Sequence, residues 1–236
     1  FSILWFNFFF KNFAELKFCC NFAVHYCSNT LKKKIMIEIK NLCFGYKKSK
    51  NVLENVNLNL KKGCIHGLFG KNGIGKTTLL KLIGGLQFPD KGEVKVGEFT
   101  PSERKVAFLA DMFFMSEELY DSHLTIEKYV KINSVFYPNF SQQDFEAYLK
   151  DFEIEDTKQN LHKLSYGTKK KVFISFGLAC HCKLILLDEP TNGLDIEGTV
   201  EIREIIKRLA AERGVSFLVA SHLAPEIEKT CNKVAV

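Results

Sequence analysis

Residues 64–86 read CIHGLFGKNGIGKTTLLKLIGGL. An apolar run of strand length turns through a glycine-rich stretch. The segment after it carries Leu79, Leu80, Leu82 and Ile83 at helical spacing. Within it, Gly70 to Thr77 satisfies G-x-x-x-x-G-K-[ST], placed as that motif requires between a strand and a helix. Gly70, Gly73 and Gly75, with Asn72 among them, let the backbone curl so that successive N–H groups face an anion. Lys76 reaches β- and γ-phosphates and the Thr77 hydroxyl suits Mg²⁺. Thr78 follows in the first helical turn, where hydroxyls also meet phosphate oxygens. The stretch predicts a nucleotide site.

Two further strand ends carry polar groups. In LILLDEP (184–190), four apolar residues predict a buried parallel strand that presents Asp188 and Glu189 at its carboxyl end. Ligands of open α/β sheets bind at that end. Asp188 is placed to hold Mg²⁺ through water, and Glu189 to orient or deprotonate the water that attacks a γ-phosphate. FLVASH (217–222) ends in His222, whose imidazole, neutral or protonated, suits the γ-phosphate or the attacking water.

The rest of the chain alternates strands and helices. MIEIKNLCFGY and VLENVNLNLKKG alternate as strands, and KVAFLA (105–110) reads as another buried strand. TIEKYVKINSVFY and SQQDFEAYLKDFEI are amphipathic helical runs, and a further helix covers IEGTVEIREIIKRLAAER. Strands alternating with helices predict a mostly parallel sheet covered on both faces, with a polar helical insertion.

LSYGTKKK (164–171) opens another helix. Ser165 is a good N-cap, the first-turn N–H groups attract anions, and Gly167 permits close backbone approach to a phosphate. Lys169, Lys170 and Lys171 read as a solvated face.

The formal net charge is +6, but residues 1–35 carry four of those charges, so the body is nearly balanced and is no electrostatic footprint for nucleic acid. The cysteines include no CxxC pair, as expected of reduced thiols. Residues 1–35 hold eight of the 22 Phe without a steady period. Asn7, Lys11, Asn12, Glu15 and Lys17 interrupt any membrane-spanning run, and no clear secretory signal is present. The expectation is a non-native leader with the native start at Met36. The end at CNKVAV, within a strand pattern, suggests a truncated C-terminus.

Taken in order, the phosphate loop at 70–77, LSYGT at 164–168, LLDEP at 186–190, NGLD at 192–195 and SH at 221–222 resemble an ABC transporter ATP-binding subunit. The resemblance covers essentially all of residues 36–236. YPNF and the style of the 164–171 stretch are similar to bacterial exporter-type subunits. The resemblance implies an α/β P-loop NTPase fold with a mostly parallel sheet core, an N-terminal antiparallel β-subdomain and an inserted helical subdomain at about 112–163. It implies ATP and Mg²⁺ as cofactors, Tyr46 stacked on adenine, Glu189 as catalytic base and His222 as γ-phosphate switch. Asp195 would lie in a loop coupling two sites across a dimer. Ser165 and Gly167 would serve the ATP of a second subunit, in trans. A membrane-spanning permease on a separate chain would be the partner, with the subunit peripheral at the cytoplasmic face of the membrane and no nucleic acid bound.

The chain departs from the family pattern at two places. Asp111 stands where a Gln is expected after KVAFLA, as a further candidate for Mg²⁺ or water, and Tyr166 and Thr168 replace a glycine and a Gln. The alternative function is a soluble ATPase of the same type acting on nucleic acid or ribosomes, which usually shows two cassettes or a coiled-coil insertion. A small GTPase lacks support, because no N-K-x-D element is present.

Overall fold

The computed structural model describes residues 35–46 and 51–235. The expected leader, apart from Ile35, lies outside the described residues. Long alternating runs build an antiparallel sheet: β1 (Ile35–Phe44) lies between β2 (Leu53–Lys61) and β4 (Lys91–Val96). β4 is a strand the sequence reading passed over, because half of KGEVKV is charged and only Val94 and Val96 turn inward.

The shortest, most apolar runs form a parallel sheet. β3 (Ile65–Phe69), β5 (Met112–Met115), β6 (Leu184–Asp188), β7 (Ser216–Ser221) and β8 (Lys233–Ala235) pair in the order β5-β6-β7-β3-β8. Successive strand side chains point to opposite faces. Ile185, Leu187, Phe217 and Val219 therefore enter one core, while Leu184, Leu186, Leu218 and Ala220 enter another. Truncating a side chain such as Leu186 to Ala would cost about 2–5 kcal/mol.

The second core fills the space beneath α1 (Lys76–Ile83) and the antiparallel sheet. The first takes side chains from α3 (Ile126–Asn133), α4 (Gln142–Asp151), α5 (Tyr166–Ala179) and α6 (Ile196–Glu212). Three of these begin at hydroxyl caps. Thr125, Ser141 and Ser165 accept from the backbone N–H three residues on, at 3.3, 3.1 and 3.1 Å. Asp195 does the same for α6, accepting from Gly198 N at 2.8 Å. α7 (Ala224–Thr230) follows β7.

KVAFLA is not a strand. Val106–Leu109 forms the short helix α2, with Val106 exposed, and the chain enters the sheet only at Met112. Residues 112–115 accordingly belong to the central sheet and not to a helical insertion. The helices that follow, α3 and α4, pack toward α5.

Candidate functional site

β3 delivers the chain to Gly70, and the loop turns through Gly73 (φ 82°) and Gly75 (φ 108°) into α1. Gly75 is demanded twice: its φ is left-handed, and a Cβ there would come within 2.9 Å of Leu53 and 3.1 Å of Val52. Lys76 is buried, and its ammonium donates to the carbonyls of Gly70 at 2.8 Å and Lys71 at 3.3 Å. Asn72 lies exposed on the loop.

β6 carries two carboxylates to the same place. Thr77 Oγ1 donates to Asp188 Oδ2 at 2.6 Å, whereas Asp188 Oδ1 is buried without a partner. Burial pushes the Asp188 carboxyl above its ordinary value, against the pull of the Thr77 hydrogen bond. Glu189 Oε1 lies 3.6 Å from the Lys76 ammonium. Its other contacts come from the end of β7. Ser221 Oγ donates to Oε2 at 3.1 Å, and the His222 N–H donates to Oε1 at 2.9 Å. His222 Nδ1 also stands 2.9 Å from Oε1, a contact that is attractive only when that nitrogen is protonated.

Tyr46, partly exposed, stands at the edge of this site. Its hydroxyl is 3.2 Å from Thr78 Oγ1, and its ring meets Phe44 edge-on. The structure thus gathers Tyr46, the loop 70–78, Asp188, Glu189 and His222.

Ser165, Gly167 and Asp195 lie apart from these contacts, and of the three Gly167 sits against the Asn192–Gly193 turn. Ser165 Oγ caps α5 and lies 2.8 Å from Thr168 Oγ1. A Cβ on Gly167 would come within 2.9 Å of the Gly193 carbonyl. Asp195 is exposed. The Gly198 N–H and then Lys171, 3.6 Å away, hold its carboxyl below the ordinary range. Tyr166 swings sideways, and its hydroxyl donates to the Glu117 carbonyl at 2.7 Å.

The expectation for Asp111 fails on geometry. Met112 pairs with Leu184, so Asp111 precedes the sheet at its amino end, opposite Asp188. There it binds Lys183, through the ammonium at 2.5 Å and the N–H at 3.0 Å. The error follows from taking Lys105–Ala110 as the strand. The residue that leaves the carboxyl end of β5 is Glu117, which the sequence reading overlooked. Glu117 Oε1 accepts from Asn192 Nδ2 at 3.1 Å, and its charge acts on Asp188 and on Lys170. A detectable signal existed: MFFM followed within two residues by Glu117 parallels LILL followed by Asp188 and Glu189.

The sequence profile described as ABC transporter matches residues 53–192, more than half of the chain. The chain belongs to the ABC transporter family, as an ATP-binding subunit. It is 32% identical to the ABC transporter ATP-binding protein YtrB of Bacillus subtilis, over 84% of this chain and 68% of that protein. It is 31% identical to the bacitracin transport ATP-binding protein BcrA of Bacillus licheniformis, over 82% of this chain and 63% of that one. The chain therefore spans about two thirds of the length of these curated relatives. A solved ATP-binding subunit of an ABC transporter superposes with a TM-score of 0.76 at 27% identity, covering 84% of each chain. A dimeric ATP-binding cassette in a post-hydrolysis state, bound to ADP and Pi, gives 0.75 at 27% identity, over 83% of this chain and 91% of that one.

Proposed function

We propose that this ABC subunit hydrolyses ATP to ADP and phosphate at the carboxyl end of its parallel sheet, and that the energy drives a permease carried on a separate chain. One observation carries the reading. The buried Glu189 carboxylate is held by Ser221 and His222 and lies 3.6 Å from the Lys76 ammonium, at the mouth of the 70–77 loop. The loop N–H groups cradle the phosphates, and Lys76 balances their charge. Glu189 takes the proton of the attacking water, and His222, beside it, faces the γ-phosphate. Tyr46 offers its exposed ring to the adenine.

Mg²⁺ fits the donor set. Asp188 Oδ1 is buried and unpartnered beside the Thr77 hydroxyl, so an acceptor oxygen and a hydroxyl stand together where a cation would take both. Thr77 and Asp188 would hold the ion, which would neutralise charge on the phosphate oxygens. Asp111 takes no part.

Ser165 and Gly167 serve the ATP of a second ATP-binding subunit, with Asp195 in the loop between the two sites. Among the described residues, no helix is long and apolar enough to cross a membrane. The relatives named above are ATP-binding proteins of transport systems, which supports a peripheral place beside a permease at the cytoplasmic face of the membrane. Release of phosphate from Mg·ATP by the purified chain, with its loss in Lys76→Ala, tests the reading. A chain whose phosphate release survives that substitution would contradict it.

A further inference from the structure

Three consecutive lysines, Lys169 to Lys171, follow the first three residues of α5, and their surroundings differ. Lys169 pairs with Asp121 at 2.7 Å, and Lys171 lies 3.6 Å from Asp195. Lys170, between them, has no exposed surface. A buried ammonium is costly unless its three N–H groups find acceptors. Lys170 Nζ donates to the Glu189 carbonyl at 2.7 Å and the Asn192 carbonyl at 2.8 Å, and sits 4.9 Å from the centre of the Tyr166 ring. The same partners close a ring. Tyr166 donates to the Glu117 carbonyl, Asn192 Nδ2 donates to the Glu117 carboxylate, and the Tyr166 ring covers Gly193, where a Cβ would meet it at 2.7 Å.

Glu189 needs such support. Its φ is 48°, in the left-handed region that residues with a Cβ rarely occupy. Both ends of the residue are tied down: the N–H donates to the Ala220 carbonyl at 2.9 Å, and the carbonyl accepts from Lys170.

We propose that Lys170 is a positioning residue for hydrolysis: its ammonium clamps the Glu189 and Asn192 carbonyls, holding Glu189 in the strained backbone that aims its carboxylate at the phosphate loop. The inference rests on the reading of Glu189 given above. The charged groups facing Lys170 are Glu117 from the segment after β5 and Asp188 and Glu189 from β6. Burial outweighs their attraction and pushes Lys170 down to about 8. The clamp also ties the first turn of α5, which carries Ser165, to the residue that activates water.

Steady-state ATP hydrolysis and the binding of a fluorescent ATP analogue are measured on the full chain and on Lys170→Met, Lys170→Gln and Glu189→Gln. Lys170→Met is expected to lower kcat about 30-fold while KM and analogue affinity stay within about twofold. Lys170→Gln, which keeps a donor, falls between it and the parent. An unchanged kcat overturns the proposal, and so does a parallel loss of kcat and affinity, which would mark a purely structural lysine. If Lys170→Met fails to fold, Lys170→Gln decides by the same criteria. A fully active Glu189→Gln removes the catalytic reading itself. An inactive Glu189→Gln beside fully active Lys170 variants removes only the positioning role.

Discussion

The Thr77 hydroxyl donates to Asp188 at 2.6 Å, joining residues 111 apart in the chain and fixing the start of α1 to the end of β6. Thr77→Val keeps the shape of the side chain but leaves Asp188 without this partner. The fold should persist, while the Mg²⁺ concentration for half-maximal hydrolysis rises about tenfold or more. A Mg²⁺ titration of the ATPase rate checks this; an unchanged midpoint would separate Thr77 from the cation.

Lys170 gives stability a recognisable pH dependence. Its value is lowered to about 8 from the ordinary 10.5. Below pH 8 the lysine is charged in both states, and its burial opposes folding. Between about pH 8 and 10.5 the unfolded chain holds a proton that the folded chain has shed, so stability rises with pH, by at most about 1.4 kcal/mol per unit. The stability of the parent relative to Lys170→Met should therefore increase from pH 7.5 to 10 in parallel melts; a flat difference would contradict the shift.

Ser165 combines a local and a proposed distant role. Its hydroxyl caps α5, so Ser165→Ala should cost about 1 kcal/mol of stability. Nucleotide affinity of the isolated chain should stay at the parental level, while hydrolysis by the paired subunits is lost. Calorimetric binding beside an activity assay separates the two effects.

The Tyr166 hydroxyl holds the segment after β5 to α5 through the Glu117 carbonyl. Tyr166→Phe removes that single bond and should cost about 0.5–1.5 kcal/mol, read as a lowered denaturation midpoint at constant m. A midpoint equal to the parent's would show the bond to be energetically empty.

How far the sequence disclosed this arrangement depended on the length of each signal. LILLDEP was legible because four apolar residues ending in two acids fit a buried parallel strand and little else. The phosphate loop was legible because its glycines have no other efficient use. The run from Lys105 to Met115 was not: VAFLA and MFFM are both too short to show a period, and pairing of Met112 with Leu184 decides which one enters the sheet. That choice moved Asp111 to the wrong end of the molecule and hid Glu117. The lysines of α5 misled for a related reason. Every residue from Val172 to Ala179 is buried, so this helix has no solvated side to assign, and one lysine of three faces inward. The inward one is legible only from the carbonyls it meets.

Glu189→Gln tests the central claim most directly, because it removes the carboxylate proposed as the base and keeps the shape of the side chain. Turnover of Mg·ATP should fall by about 100-fold or more, while ATP affinity, measured on the same preparation, stays within about twofold of the parent. Turnover at the parental rate would contradict the assignment of water activation to Glu189.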